Sequence, residues 1–319
     1  RICDRHRKLD GRLIIAIENK FGLKYWAGCR EDHLGTHFAG LEGYREGGPA
    51  RTFTRHGLER MLEQVGIHEY AFYYPYPDYK FATTIYSDRY LPQKGELSNN
   101  LRNFDRDRVL LFDEKQVFDE IIDEKEFPLF SNSYLLVVGG APNVVYTKFS
   151  NDRAAKWAVR TSIVREAPGQ MHVEKLPDTE AAHRHLLNTK QAYEQLAERY
   201  EGTKIDINKC DVIRGDVQNG LSFEFCRGET LEALLDECLM RTDVAGFKAL
   251  VQEYMHWLYY NEDTYAVSNF DFIFPNILVD GKQWHVIDYE WTFDKHIEVK
   301  DIALRAFFNY TLRGEMSMA

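Results

Sequence analysis

The chain lacks paired cysteines, long apolar runs, an excess of basic residues and low-complexity tracts. Its five cysteines (Cys3, Cys29, Cys210, Cys226 and Cys238) are scattered, odd in number and without C-x-x-C spacing. That speaks against a disulfide framework or a cysteine zinc site, and fits reduced thiols in a cytosolic protein. No uninterrupted apolar stretch reaches the roughly 18 residues that a bilayer-spanning helix needs, so no transmembrane segment is expected. The net charge of −10 argues against a general affinity for nucleic acid or anionic lipid. No secretory leader and no initiator Met open the chain, and Arg1 falls in what reads as the middle of a polar helix. An apolar helical run from Ile302 to Leu312 stops almost as soon as it forms. Both ends therefore read as those of a fragment.

What is present suits two cores. A length of 319 residues predicts two domains, each large enough to bury its own interior. The breaker cluster Gly139-Gly140-Ala141-Pro142-Asn143 is the best linker and divides residues 1–140 from residues 141–319. In the first segment, Leu13 to Ile17 is a short β-branched run, predicted to be a strand buried on both faces as in a parallel sheet. It delivers Glu18 and Asn19 at its C-terminal end, where open α/β sheets place ligands. A loop rich in glycine, aromatics and charge follows to Pro49 and carries His33. Thr54 then caps a predicted helix from Arg55 to Val65, which Gly66 stops. Tyr70 to Tyr76 reads as a strand, Val117 to Ile122 as a helix inside a charged insertion, and Tyr134 to Val138 as the last strand.

The second segment opens with three strand signals, Val144 to Phe149, Trp157 to Val164 and Met171 to Leu176, the last carrying Lys175. A helical run, Glu180 to Tyr200, follows. Three antiparallel strands with a lysine on the third, then a helix, make the small lobe of a kinase-like fold. Such a lysine grips the α- and β-phosphates and pairs with a helix carboxylate; Glu180 and Glu194 are both candidates. The turn between the first two strands is Ser150-Asn151-Asp152-Arg153 rather than a Gly-rich cover, so phosphate contacts there would fall to backbone amides and Arg153. Leu221 to Phe225, ending in Cys226, reads as a hinge whose backbone would bond adenine, with Phe225 and Cys226 lining the nucleotide. Thr230 caps a helix through Leu239, and Phe247 to Tyr260 is a second.

The densest chemistry lies in Ser268 to Trp291, SNFDFIFPNILVDGKQWHVIDYEW. Asp271 is followed five positions on by Asn276, then by two β-prone runs around an Asp280-Gly281 turn that deliver Asp288. A carboxylate, then an amide, then a hairpin ending in a carboxylate is how kinases set a base and two Mg²⁺ ligands around ATP. Asp271 is the candidate base, and Asn276 with Asp288 are the candidate metal ligands.

Two resemblances sharpen this. Residues 1 to about 140 resemble the C-terminal half of a class I S-adenosylmethionine-dependent methyltransferase, with GRLIIAIEN as its fifth strand and the last two strands as an antiparallel edge pair. The words GLKYWAG, EDHLG and FSNSYLLVV are close to a bacterial group in which such a domain is fused to a kinase-like one in surface-polysaccharide gene neighbourhoods. The second segment is similar to the aminoglycoside and choline kinase group, which carries an Asp-aromatic-acidic triplet where Asp288-Tyr289-Glu290 stands. Asn269 occupies the place of that group's usual histidine. The resemblance implies α/β plus α+β architecture, half of a doubly wound sheet followed by a two-lobed kinase-like domain. It implies Mg²⁺ and ATP for the second domain, and a methyltransferase pocket lined by Glu18, Asn19 and His33. S-adenosylmethionine would bind only in the intact protein, because the family's Gly-rich loop and acidic cofactor residue are expected upstream of Arg1. The implied acceptor is a glycan or small-molecule hydroxyl, and the implied partners are polysaccharide-assembly enzymes. The implied location is the cytoplasm, or a peripheral position at the inner face of the membrane. Two functional readings stay open: a phosphotransferase, or a kinase-shaped module that binds nucleotide or glycan without turnover.

Overall fold

The computed structural model describes residues 6–8, 11–45, 47–48, 50–97, 109, 111–214 and 219–318. The polar stretch expected to open as a helix at Arg1 lies largely outside them. The protein is mixed α/β, with chiefly antiparallel strands and eight α-helices among the described residues. No helix among these residues is long and apolar enough to cross a membrane. Two compact units form, one from Arg1–Asn151 with Ser162–Pro168, the other from Asp152–Thr161 with Gly169–Ala319. The division thus falls after Asn151 rather than at Gly140.

In the first unit the strands are β1 (Leu13–Glu18), β2 (Tyr70–Tyr76), β3 (Thr84–Ser87), β4 (Ser133–Val138) and β5 (Val144–Phe149). They lie in the order β1-β4-β2-β3-β5. β4 runs antiparallel to both β1 and β2, with Val138 opposite Leu13 on one side and Tyr70 on the other. The last two predicted strands, β2 and β4, therefore do pair antiparallel, with β4 inserted between β1 and β2 and not at an edge. β1 also departs from expectation: Ile14 is 61% exposed and burial alternates along the strand, so one face only is covered. Its continuous apolar run hid a period of two. The core is aromatic, built from Phe72, Tyr74, Tyr86, Phe118, Phe127 and Tyr134, whose rings meet edge to face, as Phe72 and Tyr134 do at 5.5 Å. Helix Arg55–Gln64 adds Leu58 and Leu62 to it. Its start is fixed by the Thr54 hydroxyl, which accepts from the Gly57 N–H, and Gly66 leaves it with φ +77°. β5, expected in the small lobe of the second domain, pairs with β3 in this unit, Thr84 opposite Lys148.

Strand β6 (Val159–Ala167) contributes residues to both units. The second unit continues with β7 (Gln170–Pro177), β8 (Ile205–Ile207), β9 (Cys210–Arg214) and β10 (Asn219–Glu224). β10 sits antiparallel between β7 and β9, which puts Leu221 opposite Lys175 and Phe223 opposite Cys210. Helix His183–Arg199 packs beneath them through Leu186, Ala192 and Leu196. After β10 the chain passes through Phe225–Gly228 to β11 (Glu229–Thr230), which pairs with a hairpin farther on. Gly228 is obligatory there: a Cβ would stand 2.8 Å from the Val279 carbonyl oxygen, and its φ is +137°. Next come β12 (Ser268–Asn269), β13 (Ile277–Asp280), β14 (Gln283–Val286) and β15 (Thr292–Phe293). β13 and β14 form the hairpin predicted around Asp280-Gly281, and β8 adds in parallel to β14. Helices Leu231–Met240, Val244–Tyr259 and Val299–Met318 close over Tyr254, Phe272, Phe274 and Trp284, which form the centre of this core.

Candidate functional site

The loop after β12 is held rigid by its own backbone and amides. The Asn269 side-chain oxygen accepts from the Asp271 N–H at 2.9 Å, which explains how asparagine serves at this place. The Asn276 amide donates to the Asp271 carbonyl at 3.0 Å, and the Ile273 N–H donates to it at 2.7 Å. Asn276 therefore spends its nitrogen on the loop, which leaves its side-chain oxygen for a cation. From the other direction, the Ile287 N–H donates to the Asn276 carbonyl and the Phe270 N–H to the Trp291 carbonyl, each at 3.0 Å. These bonds bring the chain bearing Asp288 alongside the chain bearing Asp271 and Asn276.

Asp271 is buried, and its Oδ1 accepts from Arg305 Nη2 at 2.9 Å. Burial pushes its carboxyl up to about 6, and the neighbouring negative charge of Asp288 adds to the rise, while Arg305 pulls it back. A carboxyl tuned to that range suits a general base near neutrality. Arg305, on the last helix and well outside the motif, escaped the sequence argument. Nothing local in the sequence marks it.

Lys175 is the hub of the second half of the site. Its ammonium lies 3.0 Å from Asp288 Oδ1 and 3.9 Å from Glu290 Oε2. Burial by itself would lower its affinity for a proton, but Asp288 and then Glu290 outweigh that, and the ammonium is held charged. Glu290 in turn receives Arg153 at 2.7 Å on Oε1 and His185 at 3.2 Å on Oε2. Burial would raise its carboxyl; Lys175, His185 and Arg153 reverse the effect and hold it well below the usual carboxylate range. Here the structure corrects the sequence argument. The carboxylates that face Lys175 are Asp288 and Glu290, not a helical glutamate. Glu180 is exposed in a 3₁₀ turn before the helix, and Glu194 is exposed and pairs with Lys190 at 3.5 Å. What the helix supplies to this cluster is His185, which contacts Glu290.

Tyr289, between the two carboxylates, is buried and donates to the Asn208 carbonyl at 2.7 Å, which pins the triplet. Phe225 and Cys226 occupy the coil after β10, partly buried. Burial pushes the Cys226 thiol up to about 11. Among the described residues no group of three or more His, Cys, Asp or Glu is arrayed for a metal ion. An amide oxygen and a carboxylate are nevertheless hard oxygen donors of the kind Mg²⁺ takes.

In the first unit the three predicted pocket residues have different surroundings. Glu18 is buried and meets Lys80 at 2.7 Å and the Tyr79 hydroxyl at 3.2 Å. It belongs to a charged cluster in which Lys24 bridges Asp78 at 2.9 Å and Asp32 at 3.3 Å, and Lys80 also reaches Asp32 at 3.2 Å. Tyr25 donates to Asp32 as well. Burial would raise the Asp32 carboxyl, but Lys24, Tyr25 and Lys80 bring it down to about 2. Asn19 is structural: its amide donates to the Leu129 and Ser131 carbonyls, and its oxygen accepts from the Phe21 N–H. His33 is exposed, and its backbone N–H donates to Glu31. Compared with protein-family models and with curated proteins, the chain matches none.

Proposed function

We propose that the second unit is a phosphotransferase that moves a phosphoryl group from MgATP to a hydroxyl of a glycan or a small-molecule precursor. In the same proposal the first unit is the C-terminal part of an S-adenosylmethionine-dependent methyltransferase domain, and the two act in surface-polysaccharide synthesis. The observation that carries the reading is the meeting of Lys175, distant in the chain, with Asp271, Asn276 and Asp288 of one loop and hairpin at one place in the second unit. Each has a role its chemistry can fill. Lys175 would hold phosphate oxygens and Phe225–Cys226 would line the adenine. Asp271 would orient the acceptor hydroxyl and take its proton. Asn276 and Asp288 would hold Mg²⁺, which when bound offsets the negative charge of the phosphates. Glu290 acts as a positioning residue that fixes Lys175 from the side opposite Asp288.

One observation favours the second reading, a module that binds nucleotide without turnover: the Asp271 carboxylate is already engaged by Arg305. The two readings part on ATP consumption. Purified chain incubated with Mg²⁺, radiolabelled ATP and a bacterial glycan extract should label the glycan fraction, and Asp271→Asn should not. ATP binding without label transfer to any acceptor would support the adaptor.

A further inference from the structure

Arg153 comes from the turn where kinase-like folds usually carry glycines, yet its side chain points inward. Its guanidinium meets Glu290 at 2.7 Å, on the oxygen opposite the one that faces Lys175 and His185. One carboxylate thus holds two permanent cations side by side. The guanidinium also lies 5.8 Å from the Trp291 ring, and Trp157 packs edge-on to the same ring at 5.2 Å, which restricts its plane. Its side chain is 29% exposed, against 9% for Lys175. A planar guanidinium with five donors has an edge left over after one contact to Glu290, and that edge matches phosphate oxygens.

The charge balance points the same way. Lys175 and Arg153 face Glu290 and Asp288, and the exposed Asp152 adds a negative charge near Arg153. Once Asp288 serves a metal ion, Glu290 is the one carboxylate left in contact with both cations, and the more exposed of them is the less compensated. Lys175 is already assigned to the inner phosphates. We propose that Arg153 binds the terminal phosphoryl group of a nucleoside triphosphate, so that the site distinguishes a triphosphate from a diphosphate. This rests on the phosphotransferase reading and adds to it a group that acts within the chain as an arginine finger does between proteins.

The test is calorimetry on the whole chain with ATP and with ADP, each in Mg²⁺, for the wild type, Arg153→Gln and Arg153→Lys. Circular dichroism checks the fold of each. Arg153→Gln should weaken ATP about tenfold, equivalent to about 1.4 kcal/mol, and leave ADP within about twofold. Arg153→Lys keeps the charge without the fork and should fall between; it carries the test alone if the glutamine variant fails to fold. Equal losses for both nucleotides would make Arg153 a brace for Glu290 and Lys175 and overturn the proposal, as would no loss for either. A wild type that binds neither nucleotide would instead refute the phosphotransferase reading, and this inference with it.

Discussion

Each unit contains a buried cluster of lysines and carboxylates, and the two are built differently. In the first, Lys24 and Asp78 are both fully buried and the Asp32 side chain is 5% exposed, so every carboxylate at the centre is sealed and the one open member is a cation, Lys80, at 32%. In the second, Lys175 is nearly as deep, but its partner Asp288 has a side chain 35% exposed. A sealed pair cannot exchange partners without leaving a charge stranded in a poor dielectric. A pair with one open flank can, because the exposed carboxylate turns to solvent or to a cation at little cost. Burial of charge is common to both units, and an open carboxylate beside the buried cation marks the one suited to ligand chemistry.

This comparison can be broken most severely at Lys24. Removing one member of a sealed ion pair costs about 3–5 kcal/mol, so Lys24→Met should destabilise the first unit by that order. Urea denaturation with hydrogen exchange read at β1 checks it. Lys175→Met should cost the second unit less, because Glu290 keeps Arg153 and His185, while ATP binding is lost. Equal destabilisation by the two substitutions would erase the distinction between the clusters.

The next effect in size concerns Asp271. Asp271→Asn should lower turnover by about 10²–10⁴-fold, the usual cost of losing a general base, and leave ATP affinity nearly intact. Its pH dependence has two opposed signs. The ionised carboxyl is the working form, so the rate should fall as pH drops through about 6. Because the folded state holds this proton more tightly than the unfolded chain, the same group favours the fold as pH falls from about 6 towards 4. A rate profile compared with a melting profile over that range separates the two.

The smallest effects are expected at the helix. Glu180→Gln and Glu194→Gln should leave ATP affinity unchanged within error, since both are exposed and neither faces Lys175. Glu290→Gln should loosen Lys175 and Arg153 together and weaken ATP measurably in the same calorimetric assay. A drop at Glu180 with none at Glu290 would restore the helical partner.

Local signals were read well from sequence. The Thr54 cap, the helix at Arg55–Gln64 and the Asp280-Gly281 hairpin each depend on residues within a few positions of one another. The spacing from Asp271 to Asn276 to Asp288 was legible for the same reason, since a loop and a hairpin set it. Contacts between distant residues were not. Lys175 and Asp288 are 113 positions apart, and which acid turns towards the lysine depends on how the chain after β14 is placed in the folded unit, a tertiary fact. Asn19 looked like a pocket residue because it ends a strand, yet its amide closes the backbone of the Leu129–Ser131 segment. The compact units divide after Asn151 although Gly139 and Gly140 break the chain locally, because β5 finds its partner in β3.

The central claim is that Asp288 is an exchangeable carboxylate, released from Lys175 to hold Mg²⁺ when ATP binds. A thermal-shift titration of wild type and Asp288→Ala with ATP, with and without Mg²⁺, tests it most directly. Wild type should be stabilised by ATP much more in Mg²⁺ than without it. Asp288→Ala should remain folded and show the same ATP shift in both conditions, with metal-free ATP binding it at least as well as the wild type. Identical, metal-independent shifts in the two proteins would contradict the account.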